Sequence, residues 1–155
     1  WTPVVTGDGN TLAFIGATAQ RPPLPCVMPF KGGQARILAE ERVPNSFPRL
    51  QLVVPKQIKY KTPDGLTVHA QWFEQPGSPA NVKKPAVIFV HGGPPRQMLL
   101  GWHYSDYYSN AYAVNQYLAS RGFIVLSINY RLGIGYGYEF HQPKNAGATG
   151  ASEYI

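Results

Sequence analysis

The run Lys84-Pro85-Ala86-Val87-Ile88-Phe89-Val90-His91-Gly92-Gly93-Pro94 constrains this chain more than any other stretch. Ala86–Val90 is unbroken apolar sequence, rich in β-branched residues, and reads as a strand. Without polar alternation it predicts a strand buried on both faces, as in a parallel sheet. It ends abruptly in a histidine, two glycines and a proline. Glycines permit a tight turn and leave backbone N–H groups uncovered. Such a turn can set a bare amide beside a reacting oxygen, so Gly92 and Gly93 are candidates for an oxyanion site. Gly-Gly-Pro is equally good chemistry for a plain turn between a strand and a helix.

The flanking sequence supplies a frame for that turn. Ser109 or Asn110 can cap a helix running to Arg121, with Gly122 as its stop. Ala111, Val114, Tyr117 and Leu118 share a face at helical spacing and predict the packed side. Phe123 to Ile128 reads as a second buried strand, so strand, helix and strand make one parallel crossover. Upstream, Gln57–Lys61 and Leu66–Phe73 read as a hairpin across the turn Thr62-Pro63-Asp64-Gly65. Leu66, Val68, Ala70 and Trp72 fall on one face of its second strand. The expected fold class is therefore α/β, an antiparallel hairpin followed by a βαβ unit. This is how the sheet of an α/β-hydrolase begins.

Residues 1–40 have another pattern. Thr6–Asn10 is a hairpin-type turn, Thr11–Gly16 a strand, and Lys31–Gln34 a second turn before a short strand at Ala35–Leu38. Cys26–Phe30 reads as an edge strand, because the prolines around it cannot donate to a ladder. Strands and turns at this spacing resemble one blade of a β-propeller, which needs neighbours to bury its faces. The expected organisation is a blade over residues 1–40, a proline-punctuated linker over 41–56, and a hydrolase part over 57–155. Both ends break off within a pattern, at Trp1 and Ile155, and read as truncations of a longer protein.

Charge and cysteine content narrow the function classes. The net charge is +6, but only Lys56, Lys59 and Lys61 cluster, at the alternating spacing of a solvated strand face, which argues against nucleic acid. Cys26 is the single cysteine, so no disulfide forms within the chain. No apolar run approaches the ~20 residues of a membrane span. The first residues lack a signal-peptide pattern, and the compartment stays open.

No Gly-x-Ser-x-Gly nucleophile elbow is present. Gly150-Ala151-Ser152 comes nearest, yet Ser152 reads better as the N-cap of a further helix. Ser105, Ser109, Ser120 and Ser127 also lack an elbow. Of the histidines, His69 reads as a surface residue on the hairpin, and His91 as ordering the glycine turn. His103 and His141 sit in loops. Metal-ligand spacing is absent, and no cofactor is expected. Gly133-Ile134-Gly135-Tyr136-Gly137 superficially resembles a dinucleotide loop but has Tyr138 where the third glycine belongs. Trp102, Tyr104, Tyr107, Tyr108 and Tyr112 form an aromatic cluster, read first as packing and second as a pocket wall.

Taken in order, Val90–Pro94, Tyr117-Leu118-Ala119-Ser120-Arg121-Gly122-Phe123-Ile124-Val125, and Asn129-Tyr130-Arg131 with Gly135-Tyr136-Gly137 resemble the prolyl oligopeptidase family of serine peptidases. Its dipeptidyl-peptidase-like and acylaminoacyl-peptidase-like members are included. Tyr60–Leu66 is similar to that family's run into its hydrolase domain, and Trp1–Leu38 to the end of its β-propeller. The resemblance implies a two-domain enzyme that hydrolyses short peptides through an acyl-enzyme. It assigns an oxyanion amide to Gly93, with Gly92 and His91 shaping the loop, and leaves the catalytic Ser, Asp and His beyond these residues. The implied partners are a peptide substrate and the rest of the same chain, with a homo-oligomer left open. At Arg131-Leu132-Gly133-Ile134-Gly135 the chain departs from the family's glycine followed by a small polar residue. An esterase or other α/β-hydrolase, or a non-catalytic binding module, stands as the alternative.

Overall fold

A computed structural model describes residues 1–79, 81–144 and 146. Two sheets form. Strands β1 (Val4–Val5), β2 (Thr11–Gly16), β3 (Leu24–Pro29) and β4 (Arg36–Ile37) make an antiparallel sheet in chain order. The turn between β1 and β2 closes as its residues dictate. Gly9 takes φ 72°, and the Asp8 carboxylate accepts from the Asn10 N–H at 3.1 Å. Strand β3 is not the edge that its prolines predicted; it pairs with β2 on one side and β4 on the other. The two-residue β4 meets only Cys26 and Val27, so neither Pro25 nor Pro29 has to donate on that side.

The second sheet has the order β5-β6-β8-β7, built from β5 (Lys56–Lys61), β6 (Thr67–Phe73), β7 (Ala86–Val90) and β8 (Ile124–Asn129). β5 and β6 form the expected antiparallel hairpin, and Gly65 supplies its turn at φ 86°. β7 and β8 are parallel, joined through helix α1 (Asp106–Ser120), while β8 also pairs antiparallel with β6. Phe73 and Val125 lie fully inside, with Val53, Tyr112 and Ala119 completing the core. Truncating a ring such as Phe73 to alanine costs about 3–5 kcal/mol.

Three expectations need correction. β7 is half-buried on one face and open on the other: Ile88 is 63% and Val90 60% exposed. Among the described residues β7 has one strand neighbour, and α1 packs over β8 and β6, so the outer face of β7 meets solvent. Helix α1 starts at Asp106, with Ser105 rather than Ser109 or Asn110 at its cap. Its packed face is also rotated from the predicted one. Val114 and Tyr117 are exposed, and the buried stripe is Tyr108, Tyr112, Asn115, Gln116 and Ala119. The amides belong there because Gln116 has work to do. Its Oε1 accepts from the Val53 N–H at 2.8 Å, and its Nε2 donates to the Val53 carbonyl at 2.8 Å. On β6, too, burial extends to the unpredicted face, where Gln71 and Phe73 point into the core beside the helix.

The helix stop is as predicted. Gly122 takes φ 89°, the Phe123 N–H reaches the Leu118 carbonyl at 3.1 Å, and the Gly122 N–H reaches that of Ala119 at 3.0 Å. A four-residue helix, α2 (Tyr138–His141), follows the glycine loop where none was expected. The helix start expected at Ser152 lies outside the described residues.

Candidate oxyanion loop

Strand β7 delivers the chain to His91 at the carboxyl end of the parallel pair. The imidazole is 2% exposed. It stacks on Tyr130, with centroids 4.5 Å apart and planes at 24°, and meets Tyr108 edge-on at 6.4 Å. Two tyrosine hydroxyls hold the turn's backbone. Tyr130 Oη donates to the His91 carbonyl at 2.8 Å, and Tyr108 Oη donates to the Gly92 carbonyl at 2.7 Å. Tyr130 directly follows β8 and Tyr108 lies in the first turn of α1, so both flanking elements grip the loop. Gly93 then takes φ 61°, left-handed backbone that favours glycine. A Cβ there would meet Arg96 Nε at 2.9 Å. The Arg96 guanidinium lies over the Tyr108 ring, 5.1 Å from its centroid.

The rest of the loop is tied down by polar side chains. Asn129 accepts the Met98 N–H at 2.7 Å and donates to the Met98 carbonyl at 3.0 Å and to Tyr136 Oη at 2.9 Å. It acts as one more rung of backbone at the end of β8. His103 uses both ring nitrogens, Nε2 on the Gln97 carbonyl at 3.1 Å and Nδ1 as acceptor for the Ser105 N–H at 2.9 Å. Sequence reading missed Asn129, Tyr130 and Tyr108 in these roles; the only signal was a polar or hydroxylated side chain beside an apolar element.

Among the described residues no histidine ring bonds a serine hydroxyl or a carboxylate. Burial, with smaller contributions from Arg96 and His103, pushes the His91 pKa below 6.5, and burial does the same at His103. His69 stacks on Tyr136 at 4.4 Å and meets Gln57 Nε2 at 3.1 Å, half-buried rather than purely on the surface. His141 Nδ1 lies 2.9 Å from the Leu132 carbonyl. Among the described residues no serine hydroxyl bonds to a histidine ring: Ser109 donates to the His103 carbonyl at 2.6 Å and Ser120 to that of Tyr117 at 2.7 Å. Of the aromatic cluster, Tyr108 and Tyr112 are buried, and Trp102 packs on Tyr112 with centroids 5.2 Å apart. Tyr104 and Tyr107 are exposed. Packing thus accounts for the inner members.

A clasp the sequence did not reveal closes on the β5–β6 turn. Arg131 bonds Asp64 through two nitrogens, at 2.7 and 2.9 Å, and Thr62 Oγ1 at 3.2 Å. Thr62 also donates to Asp64. Bonds from Arg131 first and Thr62 second hold the Asp64 carboxyl well below the usual carboxylate range. The clasp fastens the β5–β6 turn to the segment after β8.

No family model matches the chain. The chain is 34% identical over 88 residues to the uncharacterized peptidase YuxL of Bacillus subtilis, a match covering 56% of this chain and 12% of that protein. It is 39% identical over 66 residues to dipeptidyl aminopeptidase BIII of Pseudoxanthomonas mexicana, covering 43% of this chain and 8% of that protein. A puromycin-hydrolyzing peptidase of Mycobacterium tuberculosis superposes with a TM-score of 0.69 at 26% identity, over 85% of this chain and 20% of that one. The chain thus spans a fifth or less of the proteins it matches. In sequence and in fold it is similar to peptidases of the prolyl oligopeptidase and acylaminoacyl peptidase type.

Proposed function

We propose that this chain is part of a serine peptidase that hydrolyses short peptides through an acyl-enzyme. Its contribution is the oxyanion loop, with the Gly93 amide as donor and His91 and Gly92 shaping the turn. The observation that carries the reading is the position of His91-Gly92-Gly93-Pro94, directly after the parallel strand β7 and ahead of the crossover helix. An α/β-hydrolase takes one oxyanion donor from the loop at that place. One such donor is worth about 3 kcal/mol in the transition state. In this reading residues 1–40 are a propeller blade, 41–56 a linker, and 57–155 the start of the hydrolase domain. The second donor and the Ser, Asp and His come from further chain of the same protein.

The test compares the complete protein carrying this sequence with the 155-residue chain alone. The complete protein should cleave a chromogenic dipeptide amide and take up a fluorophosphonate at one serine; the chain alone should do neither. Stoichiometric labelling of the chain alone would overturn the division of labour. A complete protein that hydrolyses esters but no peptide amide would turn the reading toward an esterase.

A further inference from the structure

We propose that Tyr108 is the positioning residue that aims the Gly93 amide; this rests on the reading of Gly93 as an oxyanion donor. In a trans peptide the C=O and the N–H lie in one plane and point to opposite sides. The Gly92 carbonyl and the Gly93 N–H belong to the same peptide, and no cis bond occurs among the described residues. With the Tyr108 hydroxyl on that carbonyl at 2.7 Å, the N–H is directed away from α1.

This peptide is flanked by glycine on both sides. No Cβ opposes its rotation, so the plane is free to flip, carrying the N–H to the wrong side. Two groups meet that carbonyl, the Tyr108 hydroxyl at 2.7 Å and the more distant His91 Nδ1 at 3.4 Å, and the hydroxyl, the closer of the two, is the main group that distinguishes the two orientations. It also polarises the peptide, which strengthens the N–H as a donor. Tyr108 is itself well fixed. It is buried in the first turn of α1, with the Arg96 guanidinium over its ring and the edges of His91 and His103 at 6.4 and 5.2 Å. Tyr130 grips the preceding carbonyl in the same manner at 2.8 Å, so consecutive peptides are held from two elements.

The experiment uses the complete protein. Tyr108→Phe keeps the ring and removes the hydroxyl. We expect kcat to fall about tenfold or more while KM stays within about twofold. A tetrahedral inhibitor, a peptide aldehyde, should lose affinity by the same factor, and a non-cleavable substrate analogue should not. If Tyr108→Phe does not fold, 4-fluorophenylalanine at 108 fills the space without donating. Replacing Gly93 by glycolic acid turns its N–H into an ester oxygen and tests the underlying reading, with an expected loss of about 100-fold in kcat. Loss in the ester protein with none in Tyr108→Phe would overturn the positioning role and leave the oxyanion reading intact. Unchanged kcat in the ester protein would overturn the oxyanion reading itself. A Tyr108→Phe protein whose aldehyde and analogue affinities fall together, along with its melting temperature, would reduce Tyr108 to a packing role.

Discussion

Two residues with left-handed backbone give opposite expectations. At Gly93, φ is 61° and a Cβ would crowd Arg96 Nε at 2.9 Å. Gly93→Ala should therefore destabilise the loop by about 1–2 kcal/mol, read as a lower urea midpoint. Leu132 is the reverse case: it stands at φ 76° without being glycine. Leu132→Gly relieves strain of about 1–2 kcal/mol and restores chain entropy worth about 0.5–1 kcal/mol to the unfolded state. The midpoint should hold or rise slightly, and a clear fall would contradict the strain. The histidines predict a pH dependence. Both His91 and His103 have pKa values lowered below 6.5, chiefly by burial, so the unfolded chain binds protons that the folded chain refuses. Their contribution is complete above pH 6.5 and is lost as pH falls toward the folded values. The urea midpoint should drop between about pH 7 and about pH 5.5, less so in His91→Phe. The sequence singles out His91 because it sits next to the glycines of the turn. It could not mark His103, whose two backbone partners are set by the path of the loop.

At the scale of elements, helix α1 shows where pattern reading succeeds and where it fails. Its existence and its end were legible, because Gly122 supplies a conformation that other residues resist. Its packed face was not. Periodicity counts apolar side chains as the buried ones, yet the stripe that packs carries Asn115 and Gln116 while Val114 and Tyr117 face solvent. Gln116 is buried because Val53, 63 residues away, presents an N–H and a carbonyl that β5 and β6 leave unpaired. Gln116→Leu preserves bulk and orphans both groups, together with a bond to Tyr112 Oη at 3.0 Å. The loss should be about 2–4 kcal/mol, measured by urea unfolding, whereas Val114→Ala on the exposed face should cost under about 0.5 kcal/mol beyond propensity.

Across the whole molecule, side chains that reach backbone carbonyls help join the two sheets. Tyr112 Oη reaches the Ala19 carbonyl at 2.8 Å, Gln20 Nε2 that of Leu52 at 2.7 Å, and Gly101 approaches the Thr18 backbone too closely for a side chain. Strand β7 exposes Ile88 and Val90 and, among the described residues, has β8 as its one strand neighbour. An apolar edge of this kind templates association. The 155-residue chain alone should self-associate in sedimentation, and Ile88→Lys should shift it toward monomer. The order of the strands and of α1 was written in the sequence, since glycines, prolines and apolar runs act locally. So was the turn at Gly93, whose φ of 61° favours glycine. What only the tertiary structure decided were the long-range fastenings: Tyr108 and Tyr130 on consecutive carbonyls, Asn129 on Met98, and Arg131 on Asp64. Each joins residues far apart in the chain, and a hydrogen bond's partner is fixed by the fold that brings donor to acceptor, which no local pattern encodes.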